Sequence, residues 1–247
     1  GKVVAAAGVN HSIVLWSMED QQPIGKPLIG HTLIISSLSF NPDGKILASA
    51  GQDGTIILWN TTTHEKINQL FSDYRIIDSL AFSPDGKLLA AGGNDGLIAL
   101  WNIDTGELIG KLQSDNYLIG PEVTFSPNGK LIASTSTSCT NDDTGTICQS
   151  KIILWDAASY SPIADLPSNV ARLWDISFSP DSTSLAAGGE NGVVIWDISS
   201  DNFTMKLIDQ TEVQSLSFSP DGNILATGGQ SIILWDLNSQ ERIGQPL

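Results

Sequence analysis

Residues 30–60 read GHTLIISSLSFNPDGKILASAGQDGTIILWN, and the apolar side chains in this stretch tend to recur at every second residue. The alternation is clearest in Ser37-Leu38-Ser39-Phe40 and is typical of a strand with one buried face. Pro42-Asp43-Gly44 then has turn chemistry, because proline presets φ at the second turn position and glycine accepts a positive φ. A second turn sequence, Gln52-Asp53-Gly54, precedes the apolar run Ile56–Trp59. The stretch therefore predicts three short antiparallel strands joined by tight turns.

The same pattern recurs along the whole chain of 247 residues. A Phe-Ser-Pro or Phe-Asn-Pro tripeptide begins at Phe40, Phe82, Phe125, Phe178 and Phe218. A tryptophan ends an aliphatic run at Trp16, Trp59, Trp101, Trp155, Trp196 and Trp235. Both series repeat at about 42 residues, a length typical of repeat architectures, and both stretch by about ten residues between Ser134 and Lys151. The shared excess indicates one insertion in an otherwise regular array.

Each repeat also contains a fourth segment that is shorter and more polar, such as Lys66–Phe71, as suits an outer edge strand. Four short antiparallel strands cannot bury both sheet faces alone, so consecutive sheets must pack on one another around an axis. The most distinctive motifs are Gly30-His31, Ser49, Asp53 and Trp59, with Trp155-Asp156, Trp196-Asp197 and Trp235-Asp236. On these residues the chain resembles the WD40 family. The resemblance implies an all-β fold, a WD40-type β-propeller.

The resemblance also implies one propeller domain over residues 1–247, divided into blades. We expect these blades at residues 1–28, 31–72, 74–113, 117–167, 170–209 and 212–247. The first blade has too few residues for its inner strand, and rings of seven blades are commonest in the family. We therefore expect a fragment of a longer propeller with seven or more blades. A six-bladed ring with an incomplete first blade is the alternative.

The composition narrows the classes of partner. The chain has 27 acidic and 12 basic side chains, for a formal net charge of -15 at pH 7. Binding to nucleic acid or to anionic lipid relies on neutralising negative charge, so neither nucleic acid nor a membrane is an expected partner. No apolar run approaches the roughly 18 residues of a membrane span. The sequence predicts a cytoplasmic protein whose acidic surface favours basic protein or peptide partners.

His31, Ser49, Asp53 and Trp59 include the residue types of a catalytic triad. The WD40 resemblance instead implies a structural hydrogen-bond network, running from the indole through serine and histidine to the aspartate. Such a network satisfies polar groups inside a blade and offers no exposed nucleophile or oxyanion donor. We predict that the protein is not an enzyme and has no catalytic residue, cofactor site or metal site.

Candidate binding residues lie near the start of each predicted innermost strand. Trp174 is the one tryptophan outside the repeat, and Arg172 lies two residues before it. The resemblance implies that these positions surround the narrow-face entrance of the central channel, and aromatic and arginine side chains are enriched in protein interfaces. The rim residues, as we call the set, are Ile34, Ser36, Gln52, Ile76, Asp78, Asn94, Ile119, Pro121, Arg172, Trp174, Glu190, Glu212 and Gln214. For Trp174, packing against the neighbouring blade is the alternative.

The insertion at residues 134–150 contains both cysteines of the chain, Cys139 and Cys148. If the second and third strands of this repeat are longer than the others, the two cysteines lie opposite each other and a disulfide can form. Two free thiols at the base of a loop, in a reducing compartment, are the alternative. The residues alone leave both states open.

The leading functional hypothesis is a non-enzymatic scaffold or sensor that binds a protein or peptide at its narrow face. The regular repeats resemble the WD40 arrays of large bacterial signalling proteins, which implies further domains in a longer parent chain. One alternative is a purely structural repeat module in such a protein. Another is a propeller hydrolase with a metal in its central channel, for which Glu122 and Asp175 are the only acidic pair on the innermost strands.

Overall fold

The computed structural model of the chain describes residues 2–71, 76–93, 95–113, 122–142, 145–200, 203–209 and 211–246. Within these ranges every regular element is a β-strand, and every strand pair is antiparallel. The described part of the chain has no helix with the length and apolarity needed to span a membrane. The prediction of an all-β fold is confirmed.

The first of two compact units, Gly1–Gln113, has three sheets with their strands in consecutive order. The first sheet has three strands, β1 (Val3–Ala7), β2 (Ser12–Ser17) and β3 (Pro23–Ile29). The second has β4 (Ile35–Phe40), β5 (Ile46–Gly51), β6 (Thr55–Asn60) and β7 (Lys66–Phe71). The third has β8 (Ile77–Phe82), β9 (Leu88–Gly93), β10 (Leu97–Asn102) and β11 (Leu108–Gln113).

The second unit, Ser114–Leu247, has three sheets of four strands. The first of them has β12 (Val123–Phe125), β13 (Leu131–Asp142), β14 (Gly145–Asp156) and β15 (Pro162–Pro167). The next has β16 (Leu173–Phe178), β17 (Ser184–Gly189), β18 (Gly192–Asp197) and β19 (Thr204–Asp209). The last has β20 (Ser215–Phe218), β21 (Ile224–Gly228), β22 (Ile232–Asp236) and β23 (Glu241–Arg242). Each sheet has the form predicted for a WD40-type propeller blade.

Side chains build the Phe-x-Pro turns that join the two inner strands of a sheet. After β8, Ser83 Oγ donates to Asp85 Oδ1 at 2.6 Å and accepts from the Leu88 amide at 2.9 Å. Gly86 follows with a φ of 73°, a left-handed conformation that glycine adopts without a Cβ penalty. The same serine-centred turn recurs at Ser126, Ser179 and Ser219. Hydrogen bonds between residues two to five positions apart therefore help to close these hairpins.

Consecutive sheets within a unit share their cores. Phe82 of the third sheet belongs to one apolar cluster with Leu58 of the second. In the second unit, Phe178 and Leu154 belong to an equivalent cluster. Trp59 packs in the opposite direction, into the cluster that the second sheet forms with the first. Within each unit, consecutive sheets thus bury apolar faces against each other, which a single blade cannot do alone.

The insertion lengthens two neighbouring strands rather than forming an irregular loop. Strands β13 and β14 have 12 residues each, and their ladder runs from the pair Leu131 and Asp156 to the pair Asp142 and Gly145. Strand β12 pairs only with Ile132–Ser134, and β15 only with Lys151–Trp155. In the described ladders the distal half of this hairpin therefore pairs only with itself.

Candidate functional site

Four side chains of the β4–β7 sheet form one continuous hydrogen-bond chain. Trp59 Nε1 donates to Ser49 Oγ at 2.8 Å, and Ser49 Oγ lies 2.7 Å from His31 Nε2. His31 Nδ1 lies 2.9 Å from Asp53 Oδ2. The carboxylate can only accept, so the network assigns the proton to Nδ1, and Ser49 donates to Nε2. These are the contacts that the WD40 resemblance implies.

Burial and hydrogen bonding give this network a structural role. Ser49 is fully buried and His31 is 6% exposed. Burial by itself would raise the pKa of Asp53, but hydrogen bonds from the Thr32 amide, Thr55 Oγ1 and His31 outweigh it and lower that pKa. Asp53 is therefore an ionised carboxylate whose oxygens already accept hydrogen bonds. The buried hydroxyl of Ser49 is not accessible to a substrate.

Two other tryptophans find an equivalent partner. Trp155 Nε1 donates to Ser134 Oγ at 2.9 Å, and Trp235 Nε1 donates to Thr227 Oγ1 at 3.1 Å. Both acceptors occupy the register of Ser49, because each pairs with the residue two positions before its tryptophan. A hydroxyl at this single position is sufficient to satisfy the indole.

The remaining buried tryptophans lack such a partner. The residues that occupy the register of Ser49 for Trp101 and Trp196 are Ala91 and Ala187. Both indole nitrogens are buried and have no hydrogen-bond partner among the described residues. An unsatisfied buried donor costs about 1 to 3 kcal/mol, so these two sheets carry a penalty that the others avoid.

Three rim residues occupy β-bulges on innermost strands. The ladder between β4 and β5 skips Ser36, and the equivalent ladders of β8 and β16 skip Asp78 and Trp174. A bulge re-aims the extra side chain and removes it from the regular alternation of the strand. Ser36 is exposed and its Oγ donates to the Ile77 carbonyl oxygen, whereas Asp78 and Trp174 are half-buried. The three positions are therefore set apart from the apolar core positions that follow them.

Most of the other described rim residues are exposed. Ile34 and Gln52 are exposed, and Ile76 is half-buried. In the second unit the exposed rim residues are Arg172, Glu190, Glu212 and Gln214. Asn94, Ile119 and Pro121 lie outside the described residues. Burial raises the pKa of Asp78.

Rim carbonyl groups lie directly against glycines of the neighbouring strand. A Cβ added at Gly189 would overlap the Arg172 carbonyl oxygen, to which the Glu190 amide donates at 3.0 Å. The same close approach joins Gly51 to Ile34 and Gly229 to Glu212. Only glycine leaves room for the neighbouring backbone at these positions. The three glycines therefore allow the rim segments to lie directly against the adjacent chain.

Arg172 is held on both its backbone and its side chain. Ser150 Oγ donates to the Ala171 carbonyl oxygen at 2.9 Å, and the Ala171 amide donates to Asn191 Oδ1 at 2.8 Å. Arg172 Nε donates to Cys148 Sγ at 3.3 Å. The residue is exposed and nevertheless restrained.

The sulfur that contacts Arg172 belongs to a disulfide. Cys139 and Cys148 pair directly in the β13–β14 ladder and are bonded to each other. Thr137 Oγ1 and Ser150 Oγ form a 2.7 Å hydrogen bond at the base of the same hairpin. Of the two states that the sequence left open, the structure contains the bonded one, and it links the insertion to the rim.

Asp175, one of the two acids of the hydrolase alternative, joins consecutive sheets. Its Oδ2 accepts from the Leu216 amide at 2.7 Å and from Ser215 Oγ at 2.9 Å. In the first unit Ser37 Oγ accepts from the Leu80 amide in the same way, at 3.0 Å. Burial raises the pKa of Asp175 in spite of these hydrogen bonds. Among the described residues no group of three or more His, Cys, Asp or Glu is arranged to hold a metal ion.

Sequence reasoning missed two parts of this site. The first is the close approach at Gly189, for which the recurrence of glycine before Gln52, Glu190 and Gln230 is a signal in the sequence. The contact between Arg172 and Cys148 has no such signal, because the two residues are 24 positions apart and belong to different sheets.

Comparison with known proteins adds one family. A model described as WD40, "WD domain, G-beta repeat", matches residues 21–60, 66–102, 160–197 and 202–236, more than half of the chain. Each matched segment ends on the residue after a repeat tryptophan, namely Asn60, Asn102, Asp197 or Asp236. No curated protein matches the chain.

Proposed function

Because the chain belongs to the WD40-repeat family, whose members in general are non-enzymatic and mediate protein–protein interactions, we propose that it binds a protein or peptide through the rim residues of its second unit. Arg172 and Trp174 are the anchors of this binding. The observation that carries the proposal is the restrained position of Arg172 beside the bulge that holds Trp174.

Restraint matters because binding must otherwise order the side chains of the interface, at about 0.5 to 1.5 kcal/mol for each flexible one. The contact with Cys148 and the hydrogen bonds of Ala171 restrain Arg172 in advance. Tryptophan and arginine are also the residue types most enriched among binding hot spots. The pair therefore combines suitable chemistry with a small ordering cost.

The charge of the chain supports a basic partner. A net charge of -15 attracts cationic proteins at long range and raises their encounter rate, while it repels other acidic surfaces. We propose a scaffold that works beside other domains of a longer protein. In this arrangement the long-range charge recruits the partner, and the Arg172 and Trp174 anchors determine how it docks.

The test begins with a random peptide library selected on the native chain. The dissociation constant of the strongest selected peptide is then measured by calorimetry for the native chain, Trp174→Ala and Arg172→Ala. Ile163→Ala serves as the control, because Ile163 is an exposed apolar side chain on the outer strand β15. We expect Trp174→Ala to weaken binding by about 2 kcal/mol, with a smaller loss for Arg172→Ala and none for the control.

Stability measurements separate a binding role from a packing role. Trp174→Ala should cost well below the roughly 3 to 5 kcal/mol of a truncated core aromatic. A large loss of stability with unchanged affinity per folded molecule would show that Trp174 contributes to the packing of the core and not to binding. Equal affinity for the native chain and both rim variants would show that peptides bind elsewhere.

A further inference from the structure

The second unit has a groove of about 620 Å³ that includes no rim residue. It lies between the β16–β19 sheet and the β20–β23 sheet, beside the turn Ser179–Asp181 that follows β16. Trp174 lies near the opposite end of the same strand. Six strand residues at roughly 3.3 Å each separate the two ends, so the groove is distinct from the rim.

The apolar floor of this groove is less buried than the equivalent positions of other sheets. Ile195 precedes Trp196 and is half-buried. Of the residues that precede the other repeat tryptophans, Leu15, Leu58, Leu100 and Leu154 are at most 2% exposed, whereas Leu234 of the last sheet is half-buried. Phe218 is also half-buried. Phe40 is half-buried as well, whereas Phe82, Phe125 and Phe178 are 9% exposed or less. The last two sheets therefore leave open a space that is filled between the β4–β7 and β8–β11 sheets and between the β12–β15 and β16–β19 sheets.

The pairing register of β19 also differs from that of the outer strands β7, β11 and β15. In three of the six sheets the bulge between the third and outer strands lies beside the tryptophan, as between Leu58 and Trp59. In the β18–β19 pair it lies instead between Val193 and Val194. Ile208 of the shifted strand is half-buried. Ile208 is the residue that this ladder skips, whereas the regularly paired leucines near the same place in other outer strands, Leu70, Leu112 and Leu166, are 3% exposed or less.

Four carboxylates line the groove, at Asp181, Asp197, Asp221 and Asp236. Each accepts turn hydrogen bonds through Oδ1, and within the described residues no hydrogen bond reaches Oδ2 of Asp181 or Asp197. The hydroxyl of Ser219 and the hydrogen bonds of Asn223 lower the pKa of Asp221 to about 2, and turn hydrogen bonds lower the pKa of the other three as well. Among the described lining residues Lys206 is the only cation. The groove therefore combines an incompletely covered apolar floor with free anionic oxygens.

We propose that this groove binds a basic peptide segment. An apolar side chain of the peptide lies on the floor formed by Ile195, Ile208 and Phe218, and lysine or arginine side chains reach the free carboxylate oxygens. Charge complementarity selects this occupant, because an acidic or neutral segment would leave four ionised carboxylates facing it without compensation. The volume lies within the roughly 300 to 1,000 Å³ of typical binding clefts.

The probe is a fluorescein-labelled octapeptide with lysines on both sides of a central pair of leucines, titrated with the full chain and followed by anisotropy. The test variant is the double substitution Asp181→Asn and Asp221→Asn. Asparagine keeps Oδ1 as an acceptor for the turn and removes only the charge. The matched control is Asp43→Asn with Asp85→Asn, which changes the same turn position and the same net charge in the first unit.

We expect the groove variant to bind the probe about tenfold more weakly, with a smaller salt dependence, and the control variant to bind like the native chain. A peptide with serines in place of the leucines should also lose about tenfold. Equal weakening of probe binding in both double variants would show that the loss comes from the change in net charge alone, and would overturn the proposal. Undiminished binding of the serine peptide, no detectable binding of the probe, or an equal loss in Trp174→Ala would overturn it too.

Discussion

The indole of Trp59 donates a 2.8 Å hydrogen bond to Ser49, and this hydroxyl distinguishes sheets that satisfy their buried tryptophan from sheets that do not. Where the same register position is Ala91 or Ala187, the buried indole nitrogen has no partner among the described residues. The difference is local, since the serine needs only the tryptophan two residues along the neighbouring strand. One side chain per sheet therefore controls a measurable part of the stability.

Substituting Ala91→Ser or Ala187→Ser should stabilise the chain by about 1 to 2 kcal/mol, because each hydroxyl gives a buried indole its acceptor. The free energy of unfolding in urea measures the gain. Ala6→Ser is the matched control: Ala6 has the same register, but Trp16 is 41% exposed rather than buried. An equal gain in the control would show that the buried donors are not the cause.

His31→Ala should destabilise the chain by about 1 to 3 kcal/mol, because it leaves the Ser49 hydroxyl and the Asp53 carboxylate without their central partner. Urea denaturation measures the loss, and peptide affinity per folded molecule should not change. A loss below about 0.5 kcal/mol would contradict a structural role for this network.

The structural features that can be predicted from the sequence are those determined by residues close together in the chain. Strands and turns were predictable because alternation and turn chemistry act over a few residues, as in Ser83–Gly86. The bulge at Trp174 and the half-burial of Ile195 were not, since each follows from the register of one strand against another. The sequence marks which residues are apolar, but it does not mark where a ladder skips a residue.

Gly189→Ala should destabilise the chain by about 1 to 3 kcal/mol or more and weaken peptide binding at the rim, because the new Cβ would displace the Arg172 backbone. Gly228→Ala is the matched control, since a Cβ there would make only an ordinary 3.7 Å contact with the Ser215 oxygen. Unfolding in urea and calorimetry with the selected peptide measure the two effects. Similar behaviour of both variants would show that the close approach at Gly189 does not position the Arg172 backbone.

Asp175→Asn should become more favourable relative to the native chain as the pH rises above the ordinary aspartate pKa of 3.8. Burial raises the pKa of Asp175, so the native state holds this proton more tightly than the unfolded state and loses stability as the carboxyl ionises. Asp181→Asn should show the opposite trend, because hydrogen bonds led by the Ser179 hydroxyl lower the pKa of Asp181 and that stability is lost as the pH falls below about 4. Urea titrations across the pH range measure both differences, and trends of the same sign would contradict the assignments.

Reduction of the Cys139–Cys148 disulfide should loosen the distal half of the β13–β14 hairpin and, through it, Arg172. A bond that closes so short a loop contributes about 2 to 3 kcal/mol, and here it acts on a segment that pairs only with itself in the described ladders. Hydrogen exchange with and without dithiothreitol should therefore speed up in residues 138–142 and 145–149, while Ile132–Ser134, paired on both sides, stays protected. The same treatment should weaken the selected peptide by a few-fold, because Arg172 Nε loses its fixed acceptor. The variant Cys139→Ser with Cys148→Ser should match the reduced chain and not respond to the reductant. Unchanged exchange in the reduced chain would separate the insertion from the rim, and would leave Arg172 dependent on its backbone contacts alone.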